Sequence, residues 1–177
     1  KLRSGAVPLV LCAALVVTGF QSVHSITNLQ GDARIINYTG IIRGATQRLI
    51  KKELDHVTDD TLISHLDNIL AGLSEGSEEY NLIRLDDSNY QALLDEMMME
   101  WNALKEEINL YRGGDVSGDK LFEMSEDYFY LADQTVQAAE IYTEKMVLNS
   151  RNTFFIMTLL FIILAALCAI FTHLQNT

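Results

Sequence analysis

The sequence contains little proline, little cysteine and few basic residues, and each shortage excludes a class of protein. One Pro and ten Gly in 177 residues are too few for a turn-rich β protein and favour helices. Both cysteines, Cys12 and Cys168, lie in long apolar runs, so no disulfide framework holds the segment between them. Thirteen Lys and Arg against 24 Asp and Glu give a net charge of −11, which argues against binding to nucleic acid.

Charged residues are absent from two long stretches, residues 5–23 and residues 153–174. At about 1.5 Å of rise per residue, helices of 19 and 22 residues cross a hydrocarbon core about 30 Å thick. We therefore predict two transmembrane helices over these stretches, which excludes a soluble single-domain enzyme as the simplest interpretation. Because the chain begins at Lys1 rather than Met, we expect it to be part of a longer protein.

The basic residues Lys1 and Arg3 precede the first apolar stretch and predict a cytoplasmic N-terminus, residues 1–4. Residues 24–152 are then extracytoplasmic, and residues 175–177 begin a cytoplasmic region. The expected location is the inner membrane of a bacterium, in contact with lipid. The alternative is a cleaved signal peptide with its cleavage site at Val23–His24–Ser25.

The segment between the apolar stretches is acidic and reads as four helices. It carries all 24 acidic residues and 11 of the basic ones, a net charge of −13. We predict helices from the membrane to about Leu54, from Thr61 to Leu85 with a break at 74–77, from about 88 to 111, and from about Asp119 into the second span. This pattern predicts an all-α protein, an antiparallel four-helix bundle whose first and last helices continue into the membrane.

The first predicted helix carries apolar and small residues along two faces. One face, here called the seam, has the spacing of a coiled-coil interface: Ile26, Leu29, Ala33, Ile36, Gly40, Arg43, Gln47, Ile50, Leu54 and Val57. The second stripe, about 100° round the helix, consists of Ile35, Thr39, Ile42, Thr46 and Leu49. One face is enough for the core of a bundle, so the other predicts a partner helix, most simply the same helix in a homodimer.

Gly40, Arg43 and Gln47 interrupt the middle of the seam. In a two-fold dimer each Arg43 faces its own copy, and an anion relieves the repulsion between the two guanidinium groups. Gly40 opens space and Gln47 adds donors, so the pattern predicts a small-anion site shared by two subunits. The alternative is an ordinary solvated face on which Arg43 pairs with a nearby carboxylate. Five of the eleven basic residues cluster in this region: Arg34, Arg43, Arg48, Lys51 and Lys52.

Residues 36–49 fit the pattern I-N-x-x-G-x-x-R-x-x-x-x-R-L. This pattern resembles the box in the periplasmic domains of nitrate/nitrite-responsive sensor histidine kinases. It is also similar to the N-terminal domains of type IV pilus methyl-accepting chemotaxis transducers. The motif match is local, whereas the layout of helices and membrane spans matches over most of the chain.

The resemblance implies that Gly40 and Arg43 lie at a dimer axis, where two copies of Arg43 hold the anion. The second Arg of the pattern matches Arg48, which projects about 140° round the helix from Arg43, so we expect it to serve in signalling or intrasubunit pairing rather than in direct contact with the anion. The chain departs from the nitrate sensors at residues 44–46, Gly-Ala-Thr, where those proteins carry larger side chains, so an anion site is implied rather than nitrate itself. The candidate ligand-binding residues are Arg43, Gly40, Gln47 and Asn37, and the candidate signalling residues are Arg48, Gly44 and Ile36.

Other motifs indicate packing rather than chemistry. The spacing of residue types predicts neither a catalytic site nor a cofactor. It also predicts no metal site, because the adjacent residues 97–99, all Met, point about 100° apart on a helix. The aromatic residues 128–130 of the fourth helix are expected to pack against the first helix, with a ligand cage as the alternative.

These observations predict the ligand-sensing input domain of a bacterial transmembrane receptor. Its expected partners are a second copy, a small anion and a cytoplasmic output domain in the same polypeptide. A histidine kinase is the expected output, with a diguanylate cyclase or a chemotaxis domain as alternatives. The other interpretations are a ligand-free dimerisation stalk, a docking module for a periplasmic partner, or a sensor of an organic carboxylate.

Overall fold

The computed structural model describes the backbone of residues 2–176 and the side chains from residue 10 onward, except those of residues 11, 24, 28, 171, 175 and 176. Within these residues the chain forms four α-helices: α1 (Leu2–Leu54), α2 (Asp60–Glu75), α3 (Ser88–Gly113) and α4 (Gly118–Asn176). The predicted all-α helical bundle is confirmed. The chain divides into two compact units, one of Lys1–Leu29 with Glu144–Thr177 and the other of Gln30–Thr143.

The first unit contains the two apolar stretches. Among the described residues, one helical segment, Gly118–Leu174, includes a window long and apolar enough to cross a membrane. In the same unit the hydroxyl groups of Ser25 and Ser150 form a hydrogen bond of 2.8 Å. The predicted cytoplasmic ends, 1–4 and 175–177, and the start of the first predicted span lie outside the described side chains. The two-pass arrangement therefore stays a prediction.

The second unit is the helical bundle, and local signals set its helix ends. The Asp59 carboxylate accepts a hydrogen bond from the Leu62 N–H (3.0 Å), and the Asp87 carboxylate accepts from the Tyr90 N–H (2.9 Å), so each aspartate caps the helix that follows it. Gly114 ends α3 in the left-handed conformation, at φ 81°. The predicted boundaries of α1, α3 and α4 agree with these ends to within about two residues.

The predicted extension of the second helix to Leu85 is wrong beyond the expected break, because α2 ends at Glu75. Gly76 adopts a positive φ of 92° and turns the chain away from the helix axis. Ser77 and Leu82 then exchange two backbone hydrogen bonds, of 2.9 and 2.8 Å. The apolar residues Leu82 and Leu85 still reach the core, but they do so from this turn.

Each helix of the bundle sends one stripe of side chains into a common core. From α1 this is the second stripe, in which Ile35, Thr39, Ile42, Thr46 and Leu49 are at most 1% exposed. The largest contribution from α3 comes from a stripe with helical spacing: Tyr90, Leu94, Met97, Trp101, Leu104 and Ile108. Of the two predicted faces of α1, the second stripe is therefore the one that fills the core of a single chain.

Candidate functional site

The seam of α1 is left partly open by the bundle. Between residues 36 and 54 its side chains are half-buried, except for Ile50, which is 2% exposed. Gly40, Arg43 and Gln47 follow one another along this half-open face at successive turns of the helix. The structure therefore places three of the four candidate ligand-binding residues on one face of α1, and two of them, Arg43 and Gln47, contact α4.

Arg43 forms an ion pair with Asp133 of α4. Its guanidinium also lies over the ring of Phe129, with 5.6 Å between Cζ and the ring centroid. The pair is at the surface, because the Arg43 side chain is 35% exposed and the Asp133 side chain 55% exposed. The intrachain carboxylate partner considered as the alternative to an anion is thus present.

Gln47 lies one turn further along α1 and also contacts α4. Its amide nitrogen donates to the backbone oxygen of Ser125 (3.0 Å) and to the carboxylate of Glu126 (3.3 Å). Arg43 pairs with residue 133 and Gln47 with residues 125 and 126, so α1 and α4 run antiparallel here. The face of α4 opposite the seam consists of Glu126, Phe129 and Asp133, at spacings of three and four residues.

The remaining candidate residues differ in their surroundings. A methyl group added at Gly40 or at Gly44 would meet no atom within 4 Å, so nothing inside the chain requires glycine at either position. Asn37 and Arg48 are exposed. Ile36 packs against the edge of the core and is the one candidate with a clear packing role.

Behind the seam, two polar contacts of α1, made by Thr39 of the second stripe and by Glu53 near the end of the helix, hold it against α3. The hydroxyl groups of Thr39 and Tyr90 lie 3.3 Å apart in the core. Burial raises the pKa of Tyr90 to about 12, so its hydroxyl stays protonated at neutral pH. Further along, Arg112 of α3 donates to both carboxylate oxygens of Glu53, at 2.6 and 2.8 Å. These contacts fix the helix that presents Arg43.

Sequence reasoning did not identify Asp133 or Glu126 as part of this region. The aromatic residues nearby divide by position: Tyr128 is 2% exposed and contacts Trp101, Tyr130 is 64% exposed, and Phe129 lies on Arg43. The expected contact with the first helix is present at Phe129, Tyr128 is buried in the core beside Trp101 of α3, and the expected packing is wrong for the exposed Tyr130. Residues 126, 129 and 133 are three and four positions apart, and this spacing alone predicts that they share one face of α4.

A groove of about 530 Å³ extends the region toward the end of α1. Arg48, Lys51 and the 53% exposed Phe122 are among the residues that line it. Among the side chains that the structure describes, no group of three or more His, Cys, Asp or Glu residues has the arrangement of a metal site.

Comparison with known proteins adds one finding about the fold. No family model matches the chain, and no curated protein matches it by sequence. Among solved structures, the ligand-binding domain of the Pseudomonas aeruginosa nitrate receptor McpN is similar, with a TM-score of 0.55 and 16% identity. The match covers 61% of this chain and 94% of that one. The two chains therefore share a helical-bundle fold.

Proposed function

We propose that residues 24–152 are the ligand-sensing input domain of a bacterial transmembrane signalling receptor. The domain works as a homodimer and binds a small anion between the two copies of Arg43. The observation that carries the proposal is that one chain fills its core with the second stripe and leaves Gly40, Arg43 and Gln47 half-exposed on the seam. The similarity of fold to the ligand-binding domain of a nitrate receptor supports the same conclusion.

The two glycines support a close approach of a second α1. Glycine in a helix interior costs about 1 kcal/mol relative to alanine. Both Gly40 and Gly44 have open space where a side chain would stand, so the folding of one chain gains nothing from them. A partner helix packed at this point does gain, because it can approach the backbone of α1.

Anion binding follows from the chemistry of Arg43. Guanidinium groups bind planar oxyanions through two parallel hydrogen bonds, and two of them across a two-fold axis surround a small anion. The amide of Gln47 lies one turn away as a further donor. The similarity of fold to a nitrate receptor favours nitrate as the ligand. The ion pair of Arg43 with Asp133 favours an organic carboxylate, because Arg43 already binds a carboxylate group there.

The signal is proposed to pass along α1 and α4. The anion binds one arrangement of these helices more tightly than another and so shifts the population between them. Each helix contains one of the two apolar stretches, and an output domain in the same polypeptide, a histidine kinase in our proposal, receives the change. A ligand-free dimerisation stalk is the second candidate, because the pair of Arg43 with Asp133 already balances the charge at the seam.

The test is the thermal unfolding of the 177-residue chain in lipid nanodiscs with nitrate, nitrite, phosphate, sulfate and short carboxylates. An anion at one hundred times its dissociation constant adds about 2.7 kcal/mol of stability. Since each kcal/mol raises the Tm of a chain this size by about 2–4 °C, we expect a shift of about 5–10 °C. Arg43→Ala should abolish the shift, and Arg43→Lys should reduce it strongly because the planar fork is lost.

Arg34→Ala is the matched control, since Arg34 is another arginine of α1 and donates a hydrogen bond to a loop carbonyl, that of Asn81, rather than to α4. This variant should keep the full shift. If no anion moves the unfolding temperature and Arg43→Ala is as stable as the parent, the anion site is wrong and the stalk is favoured.

A further inference from the structure

Asp133 stands where the proposed anion has to bind. Its carboxylate pairs with the Nη1 group of Arg43, and the Phe129 ring covers one face of the same guanidinium. A carboxylate is itself a planar oxyanion with its charge shared between two oxygens. The side chain of Asp133 therefore offers Arg43 the same chemistry as a small oxyanion ligand.

The charges at the seam make this contact consequential. Two copies of Arg43 and two of Asp133 sum to zero, so a bridging anion would enter a site with no net attraction. Glu126 lies beside Gln47 at 3.3 Å, and residues 24–152 carry a net charge of −13, which opposes an anion further. The site gains its positive charge only when Asp133 leaves Arg43.

We propose that Asp133 is an internal competitor that occupies the ligand position on Arg43 and sets the anion concentration at which the receptor responds. The inference rests on the proposed function and adds to it the residue that tunes the site. The ligand class that fits is a singly charged planar oxyanion, which replaces a carboxylate of the same charge and shape. Phe129 favours singly charged ions over sulfate, because its ring cannot replace the larger amount of hydration that a divalent anion loses.

A ligand can displace Asp133 from Arg43 because the ion pair lies at the surface. The Asp133 side chain is 55% exposed, so its carboxylate can turn into water without being buried elsewhere. An exposed ion pair raises the folding equilibrium constant by a factor of about 1.4–5. A ligand that binds two arginines can outweigh a contribution of this size. The same displacement breaks a link between α1 and α4, so ligand binding directly loosens the contact between the two helices.

The experiment is calorimetric titration of the 177-residue chain in nanodiscs with sodium nitrate and with sodium acetate, the latter being the carboxyl end of an aspartate side chain. Asp133→Asn keeps the shape of the side chain and removes its charge. With one competitor removed from each arginine, we expect binding about 2–25-fold tighter than in the parent chain. Asp127→Asn, an exposed position on α4 with the same change of charge, should alter binding by less than about two-fold.

The outcomes separate this inference from the proposed function. If the parent chain binds and Asp133→Asn binds no more tightly, Asp133 is not a competitor, while the anion site stands. If Asp133→Asn and Asp127→Asn tighten binding equally, the effect is one of general charge and the inference is overturned. If neither the parent nor Asp133→Asn binds either anion, both the proposed function and this inference fail. Asp133→Ser, also neutral but shorter, repeats the test should the Asn variant misfold.

Discussion

Asp32 is a carboxylate on the core-facing side of α1, and it is 6% exposed. Its burial raises its pKa, because the charged form loses hydration. Burial, with Asp32, Asp86 and Asp87 nearby, also raises the pKa of Tyr142, so the surroundings are acidic as well as dry. Glu53, at 1% exposure, is the contrasting case, since Arg112 donates two hydrogen bonds to it.

We therefore predict that Asp32→Asn stabilises the protein at pH 7, by about 1 kcal/mol or less. The native state binds the Asp32 proton more tightly than the unfolded chain does, so the free energy of unfolding of the parent falls as pH rises from the ordinary aspartate pKa of 3.8 through the raised one. The advantage of the Asn variant should be full above that range and vanish below it.

Denaturant unfolding of both chains across pH 3 to 8 measures this difference. Asp95→Asn, at an exposed position on α3, is the control and should track the parent at every pH. A parent that is more stable than Asp32→Asn at pH 7 would show that the carboxylate makes a favourable interaction that outweighs its burial.

The sequence predicts the surroundings of a residue only where they depend on its neighbours along the same helix. The spacing of Gly40, Arg43 and Gln47 places them on one helix face without any knowledge of the fold. The partner of Arg43 was not predictable, because it lies 90 residues away and is one of 24 acidic residues. Only the antiparallel packing of α1 on α4 selects Asp133 from that set.

Among the helices, predictions were accurate where a terminus depends on neighbouring residues. Asp87 caps α3 through its own side chain, and Gly114 ends it through its own backbone. The stretch after α2 was misread because Leu82 and Leu85 have the spacing of a helix stripe. Their burial depends on a turn that packs against other elements, including Ile83 against Gly31, and a local pattern does not contain that information.

The helix α1 also provides a test of the proposed dimer. We predict that Gly40→Ala and Gly44→Ala have opposite effects on folding and on association. In one chain each change should stabilise by up to about 1 kcal/mol, because alanine favours the helix and the added methyl meets open space. In the dimer the same methyl stands between two closely packed helices and should weaken association. Sedimentation in detergent and denaturant unfolding of each variant measure the two effects.

Gly72→Ala is the control for these variants. Its methyl would lie 3.0 Å from Cβ of Ser77 and 3.3 Å from Leu82, so it should destabilise the chain and leave association unchanged. Association that is unaffected by alanine at both Gly40 and Gly44 would place the dimer interface elsewhere.

For the whole molecule, the distribution of charge predicts a division into two uncharged stretches, 5–23 and 153–174, with an acidic segment, 24–152, between them. The chain forms two compact units, Lys1–Leu29 with Glu144–Thr177 and Gln30–Thr143, and the predicted domain bounds stay a prediction. The helical bundle followed from helix count and short loops. Composition does not specify which helix faces meet, and so the site required the structure.

The same distribution predicts that residues 24–152 lie outside the cytoplasm and that both chain ends lie inside. The test uses a chain whose Cys12 and Cys168 are changed to alanine and which carries one new cysteine. The chain is expressed in bacteria, and the labelling is done on spheroplasts prepared from the cells. Asp115→Cys, in the exposed loop after α3, should react with a membrane-impermeant maleimide. Asn176→Cys should react only after the membrane is permeabilised, because a helix of 22 uncharged residues, 153–174, separates the two positions.

The mass of the purified chain distinguishes the two interpretations of the first apolar stretch. An intact chain supports a transmembrane helix over residues 5–23, whereas loss of the residues up to Val23 supports a cleaved signal peptide. The intact form keeps α1 anchored, and a signal from Arg43 then has two membrane helices to move against each other. Cleavage would leave α4 as the single membrane helix that carries the signal. In the labelling experiment, an Asp115→Cys variant that does not react with the maleimide would place the bundle, and its proposed ligand, in the cytoplasm.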